Sequence, residues 1–97
     1  MPKGYWIAHV DVADMEAYKA YIAANAEPFA KYGARFRVRA GRYAVVEGVS
    51  RARQVVIEFK DYETALACYH SPEYQAAKRL RDAVSVGDLV IAEGYEP

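Results

Sequence analysis

The amino-acid sequence predicts an α+β protein of the ferredoxin-like kind, a four-stranded antiparallel sheet with helices on one face. Three observations carry that prediction. Runs of β-branched and aromatic residues alternate with helical spacing in the order β-α-β-β-α-β, which is the order of that sandwich. The helical runs begin at capping residues, and the first three strand runs separate into an apolar parity and a mixed one, while the fourth is apolar on both and is not oriented by its sequence. The 97 residues, 54% hydrophobic and 27% charged, suit one globular domain over residues 1–97 rather than a disordered chain.

The first strand is "GYWIAHVDV" (4–12), which contains no breaker after its opening glycine. Asp14 or Asp11 can cap the helix that follows, where Met15, Tyr18, Ile22 and Phe29 keep near-helical spacing. Pro28 falls inside that run and predicts a kink or a restarted turn; Gly33 ends it. Residues 34–47 read as a long second strand interrupted at Ala40–Gly41, where glycine suggests a bulge or bend. "EGVSRA" is a turn, and "RQVVIEFK" (53–60) is the strongest strand in the chain. Asp61 opens a second helical region with Tyr62, Leu66 and Tyr69 on one face. Ser71 as N-cap, Pro72 at the first helical position and Glu73 in the first turn restart it. Tyr74, Ala77, Leu80 and Val84 continue its apolar side, and "GDLVIAEGY" (87–95) closes the sheet. The usual order of such a sheet puts the first and third strands in the centre.

Parity then separates the two sheet faces. Trp6, Ala8 and Val10, with Val55, Ile57 and Phe59 and with Phe36 and Val38, form the apolar sets expected beneath the helices. The other face receives Tyr5, Ile7, His9, Asp11, Val56, Glu58, Arg37 and Arg39. A solvated antiparallel face alternates cleanly to polar residues, whereas Tyr5, Ile7 and Val56 call for a cover. No further helix remains in the sequence to supply one. A second copy of the chain is the expected cover, two sheets meeting face to face as a barrel-like homodimer.

The remaining composition excludes several classes. Lys plus Arg equals Asp plus Glu at 13 each, so no net field draws the protein to nucleic acid or anionic lipid. The row Arg35, Arg37, Arg39 sits in a βαββαβ pattern, yet the third strand offers Gln54, Val56 and Glu58 where an RNA-recognition sheet stacks bases on aromatics. Cys68 is the one cysteine, which rules out an internal disulfide and suggests a reducing compartment. With no signal-peptide core and no membrane-spanning run, the expected location is the cytoplasm. Two histidines and one cysteine, well scattered, make no metal site, and a lone histidine is poor evidence for haem, so no metal and no cofactor are expected.

The segments "KGYWIAHVDV", "YGARFRVRAGRYAVVEG", "VVIEF" with "LACYHSPEYQAAK", and "DLVIAEGY" together resemble the uncharacterised bacterial family called domain of unknown function 1330. The resemblance covers nearly the whole chain in order. It implies a ferredoxin-like fold that pairs into a dimeric α+β barrel, a superfamily that also holds cofactor-independent monooxygenases, isomerases and haem enzymes. It says little about function, because chemistry is grafted onto folds.

Three functional readings follow. In the first, the dimer binds a small anionic or aromatic molecule in a cleft between sheet and helices. Arg37 and Arg39 neutralise it, His9 and Glu58 hydrogen-bond it, and Tyr5 supplies apolar contact. In the second, the chain is a cofactor-free monooxygenase or isomerase with His9 as the base and Arg39 stabilising an oxyanion. In the third, the arginines pair with Glu58, Asp11, Glu47 or the partner chain, His9 is a hydrogen-bonded interface residue, and the dimer holds no ligand. Cys68 and His70 are two apart on a helix, so they face different ways and form no dyad.

Overall fold

A computed structural model describes residues 2–97. Seven elements follow one another: β1 (Gly4–Val12), α1 (Met15–Lys31), β2 (Arg35–Arg39), β3 (Arg53–Phe59), α2 (Tyr62–His70), α3 (Pro72–Asp82) and β4 (Ser85–Glu93). The sheet order is β2-β3-β1-β4 with every neighbouring pair antiparallel, so β1 and β3 are central. The expected ferredoxin-like sandwich is therefore present.

Short polar side chains start each helix. The carboxylate of Asp14 accepts from Ala17 N at 3.1 Å, and that of Asp61 from Thr64 N at 2.8 Å. Ser71 serves two helices at once: its hydroxyl donates to Cys68 O at 2.7 Å and accepts from Tyr74 N at 3.1 Å. Pro28 does not restart α1, which runs on to Lys31. Its place in the last turn leaves only the Ala24 carbonyl without its i+4 donor, and Tyr32 N still bonds Pro28 O at 3.0 Å.

The core is an aromatic cluster around Trp6. Its ring centroid lies 4.8 Å from Tyr74, 5.3 Å from Phe29 and 5.4 Å from Phe59, and its indole N–H donates to Ala65 O at 2.9 Å. Such pairs add roughly 0.5–1.5 kcal/mol each beyond the burial of their area. Two helix residues expected in the core are not: Met15 and Leu80 are exposed, whereas Tyr21 and Asn25 are buried.

The second strand departs most from expectation. It ends at Arg39 instead of reaching residue 47, because Ala40 takes φ 58° and turns the chain out of the sheet. A bulge sits inside it as well. Phe36 pairs with Ile57, but the next pair is Val38 with Val56 and then Arg39 with Val55. The inserted residue, Arg37, shifts the parity by one. Val38 is thereby moved to the open face, and Arg39 to the helix side, opposite to their expected placement. The fourth strand also begins two residues earlier than expected, at Ser85.

Candidate functional site

Between sheet and helices lies a cleft of about 450 Å³. Trp6, Tyr18, Tyr21, Tyr69 and Tyr74 form its walls, Ala8, Val10 and Leu89 its floor, and Lys78, Arg81 and Ser85 its polar end. The space exists because the floor is small: Ala8 carries one carbon, and Gly87 across from Val10 carries none. At the back, the hydroxyls of Tyr21 and Tyr74 are 2.8 Å apart. The Arg81 guanidinium donates to the Tyr74 hydroxyl from Nε at 3.2 Å and to Asp82 from Nη1 at 3.2 Å. Asp82 is also held by Lys78 at 2.7 Å. Burial pushes the Tyr74 hydroxyl well above the ordinary tyrosine range, and burial likewise raises Tyr18. Both therefore stay protonated and serve as hydrogen-bonding groups. The Arg81 side chain is only 15% exposed, a largely desolvated cation set among aromatic rings.

None of Tyr5, His9, Arg37 or Glu58 points into this cleft; all four are on the opposite, open face of the sheet. They fall into two groups. Glu58 accepts from the Tyr5 hydroxyl at 3.0 Å and from Arg37 Nη2 at 2.8 Å. The Arg37 hydrogen bond holds the Glu58 carboxyl below its ordinary range, and the bond to Glu58 raises Tyr5. His9 stands elsewhere, opposite Gln54 and Asp88, while Glu58 is opposite Tyr5. Four residues of strand, roughly 13 Å, thus separate the two groups along β1.

The partner of His9 comes from the turn before β3. Arg51 N donates to His9 Nδ1 at 2.9 Å, so the ring proton is on Nε2, which faces Asp88 at 3.7 Å. The Arg51 guanidinium bridges Asp88 at 2.9 Å and Asp11 at 3.0 Å, and Asp11 also accepts from Ala52 N at 3.0 Å. Arg51 holds Asp88 below its ordinary value; the Ala52 N–H, then Arg51, do the same for Asp11. Arg51 was unmarked in the sequence, one arginine in a turn.

Arg39 is separate again. Its guanidinium lies 4.0 Å from the Phe36 ring centroid and lines a 40 Å³ cavity with Tyr18, Tyr21 and Arg53. Cys68 is fully buried, and burial pushes its thiol up to about 12, so it packs rather than reacts. Among the described residues no group of three His, Cys, Asp or Glu side chains is placed to hold a metal ion, and no helix is long and apolar enough to cross a membrane.

Between the two polar groups the open face is apolar. Val38, Val56, Ile7 and Val90 lie directly across from one another in one row spanning all four strands. Ile7 is 48% exposed and Val90 60%, so none of the described residues covers this row.

Solved structures share the fold. RPA0582, a protein of unknown function from Rhodopseudomonas palustris, is similar with a TM-score of 0.78 over 99% of this chain and 85% of its own, at 15% identity. SnoaB, a cofactor-independent oxygenase from Streptomyces nogalater, is similar with a TM-score of 0.63 over 100% and 97%, at 11% identity. A dimeric protein of unknown function and ferredoxin-like fold from Bacteroides fragilis gives 0.50 over 95% and 94%, at 16% identity. Identities this low establish the fold and nothing beyond it. No curated protein sequence matches the chain. A family model does match, over residues 3–95, and the chain belongs to the family described as domain of unknown function DUF1330.

Proposed function

We propose that the protein binds a small planar anion, an aromatic acid or a phenol, in the cleft between helices and sheet, and that it does so as a homodimer. The observation that carries the ligand class is Arg81: a desolvated guanidinium beside a tyrosine hydroxyl pair, inside an aromatic box. Rings accept a flat apolar body by stacking, and a guanidinium takes a carboxylate or phenolate with charge-assisted hydrogen bonds. Apolar pockets with a few convergent polar groups are the usual form of small-molecule sites. Tyr5, Arg37, Glu58 and His9 then belong to the seam between two sheets, where their hydrogen bonds satisfy polar groups that pairing would bury.

A thermal-shift screen of benzoates, hydroxybenzoates and naphthols tests the ligand. A member present at about 100 times its Kd should add roughly 2.7 kcal/mol of stability. Arg81→Gln should abolish the shift for carboxylates. If no compound stabilises the protein, or if Arg81→Gln binds as well as the parent, the assignment fails.

The likeness to a cofactor-independent oxygenase supports a second reading, turnover of such a phenol with oxygen. Oxygen uptake with each binding phenol separates the two. His9 faces away from the cleft, so product retained in His9→Ala would place that reaction in the cleft, whereas loss of product with binding intact would place it at the sheet seam.

A further inference from the structure

We propose that the protein binds a single halide-sized monoanion in the 40 Å³ cavity between α1 and the β2–β3 end of the sheet, held by Arg39, Arg53 and Asn25. This is a second site, independent of the ligand assigned to the larger cleft.

Three elements build it. The bulge at Arg37 turns Arg39 to the helix side, opposite Val55. Arg53 opens β3 with the parity of Val55 and Ile57, so it lies diagonally across from Arg39 on the same face. Above them α1 presents Tyr18, Ile22, Asn25 and Phe29, whose helical spacing places them on one stripe. Asn25 is the amide in that otherwise ring-and-aliphatic stripe, and it is only 5% exposed. Among the described residues its carboxamide has no hydrogen-bond partner.

The charge around the cavity is unbalanced. Arg37, Arg51 and Arg81 each bond a carboxylate. Among the described residues Arg39 and Arg53 bond none, and each lies against a ring instead: Arg39 is 4.0 Å from the Phe36 centroid and Arg53 5.5 Å from that of Tyr18. The Arg53 Nε–H is buried and donates to no described residue. A donor shut away from water without an acceptor is costly, and more so when it belongs to a charged group. No Asp or Glu lines the space, and a guanidinium can only donate. These donors call for an acceptor that carries negative charge. A water would satisfy Nε but leave both cations uncompensated and bring two protons of its own.

Volume sets the size of the anion. One water takes up about 30 Å³ in the liquid, so 40 Å³ admits one particle of that order and excludes the aromatic acids that suit the cleft. Tyr18 and Tyr21 line both spaces and form the wall between them, which keeps the two sites separate.

Crystals grown in sodium bromide and measured at the bromine absorption edge test the site. One anomalous peak in contact with Arg53 Nε and Asn25 is expected. In solution, bromide should raise the melting temperature to a plateau relative to gluconate, an anion too large for the cavity, at equal ionic strength. Arg53→Gln should lose that rise, and so should Arg39→Gln, whose exposed position lets the chain still fold. No anomalous signal in the cavity overturns the proposal. A rise that survives both substitutions also overturns it, as the mark of an adventitious ion only. A rise lost in Arg81→Gln but kept in Arg39→Gln would put the anion in the cleft, ending this site while leaving the cleft's assignment standing.

Discussion

Val38 faces Val56 directly across β2 and β3, one residue out of step with Phe36 opposite Ile57, and this turns Arg39 toward the helices. Two arginines that look equivalent in the sequence therefore differ. Arg37 binds Glu58 on the open face, whereas Arg39 covers the Phe36 ring. Arg39→Ala should lower stability by about 0.5–1 kcal/mol, the size of an exposed cation–π contact, without altering self-association. Arg37→Ala should weaken self-association instead. Denaturant unfolding and sedimentation of both variants check this, and dissociation caused by Arg39→Ala would reverse the assignment.

Alternation along β1 and β3 was readable directly, because neither strand contains a bulge and each residue keeps its face. The caps at Asp61 and Ser71 were readable for a similar reason: their signal is local. The bulge at Arg37 was not, since "ARFRVRAGRY" alternates without a break and only the pairing with β3 shows the extra residue. The cleft was hidden for a different reason. Its tyrosines come from α1, α2 and α3 and its floor from β1 and β4, so no local spacing marks Tyr21 and Tyr74 as neighbours across 53 residues. Arg51 acquires its importance from three acceptors on two strands that lie far from it in sequence.

Gly4 is required by a close approach. A Cβ there would sit 2.7 Å from Tyr62 Cα and closer still to Asp61 O, and these are backbone atoms at the start of α2 that cannot turn aside. Gly4→Ala should push α2 away from β1 and cost roughly 1–3 kcal/mol, as overpacking does. Its midpoint in urea should drop, while Gly41→Ala, which meets nothing within 4 Å, should leave it nearly unchanged. Equal midpoints would mean that α2 does not dock where described.

The cleft owes its volume to its floor, so Ala8→Phe should fill it. The expected result is loss of the ligand-induced thermal shift, with the far-UV circular dichroism spectrum and the dimer retained. A ligand that still binds Ala8→Phe would lie outside the cleft.

Acid should unfold the protein through its paired carboxylates. Asp11, Asp88 and Asp61 lie below their ordinary 3.8 in the folded state, and Glu58 and Glu73 below 4.5. The unfolded chain then binds more protons in that range, so their stabilisation is complete above the ordinary values and is lost as pH falls through the lower folded ones. The melting temperature should hold down to about pH 5 and fall below about pH 4. In Arg51→Ala, Asp88 loses its principal depressor while Asp11 keeps Ala52 N. That variant should be less stable at neutral pH and show a shallower acid decline, and parallel curves would contradict the bridge.

The apolar row decides the association. Ile7 is at its centre, flanked by Val56 and Val90, and it is half exposed in the isolated chain. Ile7→Glu leaves the helix-side core untouched, so the chain should still fold. In a face-to-face pair, however, each copy would bury a carboxylate with no partner, a penalty of several kcal/mol. Sedimentation at micromolar concentration should then show the monomer, with Ile7→Val still dimeric as the control. A dimer that survives Ile7→Glu undiminished would mean that the open face is not the seam.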